Sequence, residues 1–578
     1  MPRANEAIEQ VLLEFADLLS ILSEDPFKPR AYEKAARAVG GYPDDLAGKE
    51  LKEILKVPGV GKSIGEKIHE FLSTGVITDL ETLRAQIPGG VRDLMTVPGL
   101  GPKKAFALYD ELGIGSVEDL IVAIQEGRVA ALKGFGPKTQ ENILRGITQI
   151  ASAGGRVTLD VASDAAEALI ERLRGLPGVG KIAYAGSLRR MCETIGDVDL
   201  LVASRDAAPI MEAFVTHPAV TRVLAHGDSK SSALVERGLQ VDLRVVPPEV
   251  WGAAMIYFTG SKAHNVRIRE MAVRAGLKLN EYGLFDAKTG RLLAAKTEAE
   301  VYAALGLPFI EPTLREDRGE VEAGLAGELP TLVRESDVRG DLHTHTNLTD
   351  GLATMEEMVQ AAAARSYTYY AVTDHAPDLA MQRMTTEKIL EQRERLRLLQ
   401  PRYPDMKLLH GTELNIGPEG QLDWPDDFLA GFDLTVASVH SHFTQSREEM
   451  TERVLRAIEN PHVHIIGHLT TRKVAGRPPV DLDLEAVFEA AGRTGTALEI
   501  NSHPDRLDLK DEHILWAKRH GVRFAVDSDA HATTHLDLLR FGVATAQRGW
   551  LTKGDVINTW PWPRLERFLR ERSVPPTP

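Results

Sequence analysis

Seven short runs rich in apolar and β-branched residues alternate with helical patterns in the last 238 residues of the chain. Alternation of strands with helices favours parallel strands, because each parallel pair needs a crossover connection, usually a helix. The carboxyl ends of such strands meet at one rim, where active sites form. The pattern therefore predicts a distorted (β/α)7-like barrel from the runs Asp341–His345, Tyr369–Thr373, Lys407–Ile416, Leu434–Val439, Val463–Gly467, Ala497–Asn501 and Arg523–Val526.

Fourteen of the 18 histidines lie in this same part of the chain, residues 341–578. Imidazoles and carboxylates at successive strand ends are metal ligands, and this mixture suits Zn²⁺ or Mn²⁺ better than Mg²⁺ alone. Other histidines of the region, such as His410 and His464, are typical of core or surface positions. The candidate ligands are His343, His345, Asp350, His375, Glu413, His440, His468, Asp529 and His531.

A second group of acids lies near the middle of the chain. Asp197 and Asp199 are two residues apart in an apolar stretch, and on a strand that spacing points both carboxylates to one face. Asp242 lies inside another apolar stretch that predicts a neighbouring strand. Three carboxylates can hold two Mg²⁺ or Mn²⁺ ions, while Ser187 and Arg190 offer a hydroxyl and a fork of donors for a triphosphate. These features predict a nucleotidyl-transfer centre.

Three glycine-containing segments repeat within the first 150 residues, and their first glycines are 40 and 35 residues apart. An amphipathic stretch follows each segment. Glycine lets the backbone turn tightly and approach a phosphate, and the N–H groups at the start of a helix attract the anion. An ordinary turn between packed helices remains the alternative for any single copy. The predicted DNA-backbone-binding residues are Gly59, Gly61, Gly99, Gly101, Gly134 and Gly136.

The motifs around the acids resemble those of the family X DNA polymerases and of the nucleotidyltransferase superfamily. The resemblance implies that Tyr257 and Phe258 lie under the sugar of the incoming nucleotide and that Asn265 contacts the base edge. Two positions depart from the vertebrate repair members: Lys262 replaces an aspartate beside the base, and Gln240 replaces an arginine before the third carboxylate. The implied nucleotide-binding residues are Gly186, Ser187, Arg190, Tyr257, Phe258, Gly260, Ser261 and Asn265.

The glycine segments resemble helix-hairpin-helix motifs, and the segment Phe27–Lys34 resembles the small lyase domain of the repair polymerases. In that resemblance Lys67 falls on the position of the Schiff-base amine. A lysine with a lowered pKa could attack an abasic sugar. The plainer interpretation, in which Lys67 only contacts phosphate, stays open.

The histidine-rich region resembles the polymerase and histidinol phosphatase (PHP) family, whose barrel carries a trinuclear metal site. All nine positions of that ligand pattern are filled by the candidates named above. The resemblance therefore implies two or three Zn²⁺ or Mn²⁺ ions and a retained phosphoesterase activity. Arg506 is either a phosphate ligand or a surface arginine.

The order of these segments resembles the bacterial family X DNA polymerases over almost the whole chain, which implies a multidomain α+β and α/β protein. The implied segments are a helical lyase-like region with the first helix-hairpin-helix at 1–80, a helical DNA-binding region with the second and third at 81–150, a nucleotidyltransferase palm at 151–250, a nucleotide-binding thumb at 251–318, a linker at 319–338 and a PHP domain at 339–578.

Charge and composition bound the partners. The net charge of −15 argues against a generally basic nucleic-acid binder, so contacts with DNA must come from local patches and backbone donors. The single cysteine, Cys192, excludes disulfides within the chain and suits a reducing cytoplasm. No stretch reads as a membrane span. We expect the protein to be a cytoplasmic monomer. Its expected partners are gapped or primed DNA and dNTPs.

Together these features predict template-directed gap filling in DNA repair, combined with metal-dependent 3′→5′ removal of nucleotides. Two other functions stay open. The chain could be a nuclease or a small-molecule phosphatase whose palm only holds DNA. It could also be a non-catalytic scaffold that recruits repair proteins to DNA.

Overall fold

A computed structural model gives the fold of the protein. It describes residues 4–572 except 23–26, 41, 43, 58, 88–90, 92–93, 96, 98–99, 133, 137–138, 141–142, 145–154, 380–383 and 475. Among the described helices, none has the length and the apolar character that a membrane crossing requires.

The N-terminal region is helical in its described residues, which lie between 4 and 144. Its helices are α1 (Ala4–Leu22), α2 (Phe27–Gly40), α3 (Leu51–Ile54), α4 (Lys62–Thr74), α5 (Thr78–Gln86), α6 (Pro102–Leu112) and α7 (Val117–Gln125). The rings of Phe15 and Tyr32 stack with centroids 4.4 Å apart and join α1 to α2. Buried apolar residues such as Leu12, Ile68 and Leu108 form the interior of this region.

The region predicted as the palm is built on a five-stranded sheet of order β2-β4-β7-β6-β5. Only the β4 and β7 pair is parallel. The elements are β1 (Val157–Thr158), α8 (Leu159–Arg174), β2 (Lys181–Tyr184), α9 (Gly186–Arg189), β3 (Thr194–Ile195), β4 (Asp197–Ala203), α10 (Ala208–Val215), β5 (Val220–His226), β6 (Lys230–Val235) and β7 (Gln240–Val246).

The region predicted as the thumb combines helices with a three-stranded antiparallel sheet of order β10-β9-β8. Its elements are α11 (Trp251–Thr259), α12 (Lys262–Arg274), β8 (Leu277–Asn280), β9 (Gly283–Asp286), β10 (Leu292–Ala294) and α13 (Glu298–Ala304).

The segment predicted as a linker, 319–338, is packed rather than extended. It contains helix α14 (Glu320–Ala326), and Val321 and Leu332 are buried in the apolar core of the thumb. Glu320 is fully buried because it accepts a hydrogen bond from His264 at 2.6 Å. The charge of a residue such as Glu320 predicts exposure to solvent, but in the folded protein His264 provides a buried partner for it.

The described residues of the C-terminal region form a curled half-barrel of six parallel strands in sequential order. Helices connect the strands, as the alternation in the sequence predicts. The elements are α15 (Met355–Ala364), β11 (Tyr369–Val372), α16 (Thr386–Leu399), β12 (Lys407–Asn415), α17 (Asp426–Leu429), β13 (Leu434–Ser438), α18 (Arg447–Glu459), β14 (Ile465–Ile466), α19 (Leu484–Thr494), β15 (Ala497–Asn501), α20 (Asp511–Arg519), β16 (Phe524–Asp527), α21 (Leu539–Arg548) and α22 (Trp562–Arg572).

The first predicted run, Asp341–His345, differs from the other six because it is not a regular strand. It joins both edges of the half-barrel instead. The N–H of Ala371 donates to the carbonyl of Asp341 at 3.0 Å, and Thr344 forms an isolated parallel bridge with Ala530. This short segment therefore occupies the position of a seventh strand.

The palm and the PHP region share an apolar contact. Leu507 and Phe541 of the PHP region are almost fully buried, and both belong to the apolar core cluster of the palm. A hydrogen-bonded ion pair adds to this contact, with Arg472 Nη2 at 2.7 Å from Glu193 Oε2. The two regions are thus packed together directly.

Candidate active sites

Two neighbouring parallel strands bring the palm acids together. Asp199 on β4 lies directly opposite Asp242 on β7, and Asp197 is on the same face of β4 as Asp199. Apolar residues of these strands point into the core, since Val198 and Val241 are fully buried. The alternation of acid and apolar residues therefore places the carboxylates on the face away from the core.

Asp242 has partners that keep it ionised. Lys230 Nζ lies 2.9 Å from Asp242 Oδ2, and Gln240 Nε2 donates to Asp242 Oδ1 at 2.9 Å. Burial raises the pKa of Asp242, but hydrogen bonds from Lys230, Gln240 and Ser232 outweigh it and lower the pKa below the ordinary value. Gln240, the departure from the family pattern, thus still contacts the third carboxylate.

The surroundings of Asp199 raise its pKa, whereas those of Asp242 lower the pKa of that carboxyl. Burial first, and then the charges of Asp197 and Asp242, raise its pKa to about 6. Negative charges held this close repel each other, and a divalent cation between them would relieve the repulsion. Carboxylate oxygens are the ligands that Mg²⁺ prefers. The donor set of the palm therefore fits a divalent metal ion.

Gly186 is required by the close approach of the backbone to Asp199. Its φ is +62°, a conformation that favours glycine. A Cβ atom at this position would lie 2.7 Å from Asp199 Oδ2. The turn that carries Ser187 is therefore adjacent to the acids, as the sequence predicts for a nucleotide-binding turn.

The side chain of Arg190 is engaged within the protein. Its Nε donates to Glu316 Oε1 at 3.0 Å and its Nη1 donates to the carbonyl of Thr259 at 2.5 Å. Both partners belong to the thumb. The neighbouring Arg189 also reaches the thumb, with Nη2 at 2.6 Å from Glu298 Oε2. The turn predicted to bind the nucleotide is thus tied to the thumb by two arginines.

The thumb residues implied in nucleotide binding lie around the junction of α11 and α12. Asn265 Nδ2 donates to the carbonyl of Tyr257 at 2.7 Å, while Asn265 Oδ1 is buried without a hydrogen-bond partner. Ser261 caps α12 by accepting from the N–H of His264 at 3.2 Å. Tyr257 is 40% exposed and stands edge-on to Phe258. Tyr257 and Asn265 line one small cleft together with Ala253, Ile256, Arg269, Leu279 and Asn280.

Gly260 connects these two helices next to Arg190. Its φ is +71°, and a Cβ atom there would lie 3.2 Å from Arg190 Nη1. A larger residue would therefore disturb both the turn between α11 and α12 and the arginine beside it.

The nine predicted ligands of the PHP region gather at the carboxyl edge of its strands, as parallel strand order requires. His343 and His345 lie in the segment between the two edges, and Asp350 follows it. The other positions are His375 after β11, Glu413 in β12, His440 after β13, His468 after β14, and Asp529 and His531 after β16.

Glu413 is the centre of this cluster. Its Oε1 lies 3.1 Å from His440 Nε2 and 3.0 Å from His468 Nε2. Its Oε2 lies 2.9 Å from His375 Nδ1 and 3.4 Å from His343 Nε2. One fully buried carboxylate therefore contacts histidines from several strands.

Two further acids complete the cluster. Asp350 Oδ2 lies 3.4 Å from His375 Nε2 and 3.3 Å from His531 Nε2. Asp529 Oδ1 lies 3.2 Å from His345 Nε2. Asp529 has a φ of +51°, a strained value for a residue other than glycine. Such strain at a ligand position is typical of a functional site.

The chemistry of this donor set fits several metal ions. Ligand atoms of three overlapping groups each lie within 4.8 Å of one another: His345, Asp350, His375 and His531; His343, His345 and Asp529; and His375, Glu413 and His440. Buried atoms among them, including His343 Nε2, both ring nitrogens of His345 and Glu413 Oε2, lie close to opposite charges but form no well-aligned hydrogen bond. Buried polar atoms normally have partners, so cations are the missing ones. His468 is outside these three groups, but its Nε2 lies 3.0 Å from Glu413 Oε1.

The carboxylates act strongly on the imidazoles in the absence of such cations. Burial lowers the pKa of His375, but the charges and hydrogen bonds of Glu413 and Asp350 outweigh it and raise the pKa to about 10. The site thus favours positive charge at its centre, which protons or metal ions can supply.

Positioning residues behind the ligands were not predicted from the sequence. Glu499 Oε1 lies 2.6 Å from His343 Nδ1, and Asn415 Oδ1 lies 2.8 Å from His440 Nδ1. Each contact orients an imidazole so that Nε2 faces the cluster. The signal in the sequence is weak, since Asn415 follows Leu414 and Glu499 lies between Leu498 and Ile500 in buried strands.

Basic side chains lie beside the PHP cluster. Arg506 is mostly buried, and its Nε lies 3.7 Å from Asp529 Oδ2. Lys473 Nζ pairs with Asp505, and Arg477 covers the ring of Phe443. Burial lowers the pKa of Lys473, and the charge of Arg506 lowers it further, so these two cations are near each other. Of the two interpretations for Arg506, the surface arginine does not fit this position.

The glycine segments lie at the starts of helices where the structure describes them. Gly61 is the N-cap of α4 and Gly101 is the N-cap of α6. Gly59 and Gly134 have φ values of +83° and +92°, which require glycine. Gly136 begins a helical turn, because its carbonyl accepts from the N–H of Thr139 at 2.9 Å. Gly99 lies outside the described residues.

Lys67 does not have the lowered pKa that Schiff-base chemistry favours. Its Nζ lies 2.6 Å from Asp79 Oδ2. Burial lowers the pKa of Lys67, but this hydrogen bond and the charges of Tyr32, Asp79 and Glu70 outweigh it, and the net shift is upward. The ammonium form is therefore favoured in this arrangement, and contact with phosphate fits Lys67 better than attack on a sugar.

Comparison with protein-family models divides the chain in the same order. A helix-hairpin-helix domain matches residues 3–77, and a SAM-like helix-hairpin-helix tandem matches residues 91–149. The DNA polymerase beta thumb matches residues 254–316, and the PHP domain matches residues 341–503.

Curated proteins are similar to the whole chain or to parts of it. DNA polymerase/3′-5′ exonuclease PolX of Bacillus subtilis (strain 168) is 35% identical over 569 residues, which cover 98% of this chain and 99% of that protein. A protein named Probable phosphatase from Thermoanaerobacter sp. (strain X514) is 30% identical over 245 residues, covering 40% of this chain and 95% of that protein. DNA polymerase lambda of Rattus norvegicus is 26% identical over 321 residues, covering 50% and 53%.

Proposed function

Because this chain belongs to the PolX family of DNA polymerases and 3′-5′ exonucleases, we propose that it fills gaps in DNA with the palm and thumb and trims 3′ ends with the PHP region. Both activities depend on metal ions. The observation that carries the proposal is that one chain holds two separate acidic clusters, one on strands β4 and β7 and one at the carboxyl edge of the PHP strands.

In the palm, we assign Asp197, Asp199 and Asp242 as the ligands of Mg²⁺ or Mn²⁺. Bound ions would supply the positive charge that activates a hydroxyl nucleophile and stabilises leaving pyrophosphate. The reaction joins the 3′-hydroxyl oxygen of the primer to the α-phosphate of a dNTP. We propose that the palm holds the triphosphate beside the acids through the hydroxyl of Ser187 and through Arg190, which would have to exchange Glu316 and the Thr259 carbonyl for phosphate oxygens.

In the thumb, the buried Oδ1 of Asn265 has no partner within the protein. A hydrogen bond from the base or sugar of the incoming nucleotide would satisfy this atom. The exposed ring of Tyr257 offers an apolar surface next to it, and both side chains line the same cleft. These contacts support the assignment of this cleft to the nucleotide.

In the PHP region, the nine converging side chains would hold two or three Zn²⁺ or Mn²⁺ ions. Such ions activate water for attack on a phosphodiester. Glu499 and Asn415 orient the imidazoles of His343 and His440. Arg506, mostly buried beside Asp529, is suited to bind the phosphate that is cleaved, because a guanidinium offers a fork of donors to phosphate oxygens.

Replacing Arg506 by alanine should lower the 3′→5′ exonuclease rate about a hundredfold, because a desolvated phosphate would lose its cationic partner. Arg506→Lys should restore part of this rate, since a lysine keeps the charge but not the fork. The rate is followed as shortening of a 5′-labelled single strand in Mn²⁺. Arg493→Ala, on the exposed face of α19, is the matched control. Normal trimming by folded Arg506→Ala would remove this residue from the substrate site.

The helix-hairpin-helix segments are proposed to bind the DNA backbone without regard to sequence. The free N–H groups at the starts of α4 and α6 attract phosphates, and the glycines allow close approach. Gly59→Val should therefore weaken binding to gapped DNA about tenfold, through lost phosphate contacts and a strained turn. Fluorescence anisotropy of a labelled gapped duplex measures this binding.

The control for that variant is Gly48→Val. Gly48 also has a positive φ, +67°, and open space in the direction that a Cβ atom would take, but it lies outside the glycine segments. Both variants strain the backbone to a similar degree. If Gly48→Val weakened binding as much as Gly59→Val, general destabilisation and not a lost phosphate contact would explain the result.

The proposed partners are gapped or primed DNA and dNTPs, with the protein acting as a monomer in the cytoplasm, where the chromosome of a bacterium lies. The function is tested on a labelled gapped duplex with and without each dNTP, in Mg²⁺ and in Mn²⁺. Template-matched extension with dNTPs and shortening without them are the expected products. Shortening alone, with no extension in either metal, would instead support a nuclease whose palm only holds DNA.

A further inference from the structure

Arg548, the last residue of α21 in the PHP region, extends into the polymerase site. Its Nη1 donates to the backbone carbonyl of Arg190 at 2.7 Å and to Glu316 Oε1 at 2.8 Å. Its Nε and Nη2 donate to Asp511 Oδ2 at 2.9 and 2.7 Å. The side chain is only 9% exposed. One buried guanidinium therefore joins palm, thumb and PHP region.

Two groups outside the PHP region accept hydrogen bonds from Arg548: the carbonyl of Arg190 and the carboxylate of Glu316. Both adjoin the proposed nucleotide-binding turn. The carbonyl of Arg190 ends the turn that carries Ser187. Glu316 holds the Arg190 side chain through the same oxygen that Arg548 contacts. Arg548 thus fixes the backbone of Arg190 directly and its side chain through a shared carboxylate.

Packing does not replace these hydrogen bonds. A cavity of about 190 Å³ lies beside them, lined by Met191, Cys192, Glu193, Arg548 and further residues of the palm and PHP region. Apolar packing holds the middle of the turn, because Leu188 is fully buried in the palm core. The Arg190 end of the turn, beside the cavity, is fixed by hydrogen bonds, which are strong when buried and charged.

From these contacts we infer that Arg548 is a positioning residue for nucleotide incorporation, contributed to the polymerase site by the PHP region. It holds the turn so that Ser187 and Arg190 meet the triphosphate. Without Arg548, a buried carbonyl and a carboxylate lose a donor, and the turn has freedom to leave the geometry that binds dNTP. This inference rests on the proposed role of the turn as the triphosphate site.

The test compares Arg548→Ala, Arg548→Lys and the parent protein as full-length chains. For Arg548→Ala we expect the KM for dNTP to rise about tenfold in gap filling, while the Kd for gapped DNA and the exonuclease rate stay within about twofold. Arg548→Lys keeps the charge and one donor group, so its KM should be intermediate. Thermal unfolding establishes that each variant is folded.

Arg540→Ala is the matched control. Arg540 lies on the same helix and also faces the palm, with Nη1 at 3.4 Å from Glu167 Oε1, but it does not touch the turn. Its loss should leave the KM for dNTP unchanged. An equal rise in KM for Arg540→Ala, or an equal fall of both activities in Arg548→Ala, would show that only the stability of the interface matters and would overturn the inference.

Arg190→Ala separates this inference from the proposed function. If Arg190→Ala leaves the KM for dNTP unchanged, the turn is not the triphosphate site and the proposed function of the turn fails. If Arg190→Ala raises the KM and the folded Arg548 variants do not, only the positioning role of Arg548 is refuted.

Discussion

Alanine at Asp197 or Asp242 should abolish nucleotide incorporation and leave 3′→5′ trimming at the parental rate. Asp242 faces Asp199 across the parallel pair of β4 and β7, and Asp197 lies on the same face. Removal of one carboxylate would remove a proposed metal ligand, and metal-assisted transfer depends on complete coordination. Extension of a labelled primer across a one-nucleotide gap measures the loss.

Asp228→Ala provides the comparison for these variants. Asp228 is an exposed acid in the loop between β5 and β6 of the same sheet and is not a proposed ligand. It removes the same charge from the palm without removing a proposed ligand, so extension should be normal. Primer extension by Asp197→Ala at the parental rate would refute the assignment of the catalytic acids.

The reverse pattern is expected at the PHP cluster: His440→Ala, His468→Ala or Asp529→Ala should eliminate exonuclease activity and leave gap filling measurable. Each residue is part of the connected set around Glu413 and His345. Loss of one ligand from a multinuclear site should remove or displace an ion, and the attack of water then loses its activation. Mn²⁺ should activate the parent protein better than Mg²⁺, because imidazoles form much of the ligand set.

His520→Ala is the matching histidine control, since His520 follows α20 and is not among the proposed ligands. Its trimming of a labelled primer should equal that of the parent. Normal trimming by purified His440→Ala would place the nuclease centre elsewhere. If both activities vanished in a folded ligand variant, the two sites would be coupled more tightly than their separate ligand sets imply.

The site residues whose positions follow from the regular geometry of strands were the easiest to predict from the sequence. The two-residue spacing of Asp197 and Asp199 and the strand-end positions of residues such as His375 and His440 follow from strand geometry. These rules do not need the tertiary structure. The alternation of strands and helices likewise predicted the six parallel strands of the PHP region.

Residues whose role depends on distant partners could not be predicted in this way. Glu499 orients His343 across 156 positions of sequence, and Arg548 reaches Arg190 across 358. The segment 319–338 reads as a polar linker, yet Glu320 is buried because His264 provides its partner. The sequence does not show whether water or a distant residue will stabilise the charge of a side chain.

The apolar contact of Leu507 and Phe541 with the palm has a consequence for dissecting the chain. A polymerase fragment ending at residue 338 would expose to water the palm surface that these two side chains cover, and exposed apolar surface promotes aggregation. Inactivity of such a fragment would report damage to its core as much as absence of a catalytic group. Point variants, which keep this surface covered, are therefore the means of separating the two activities.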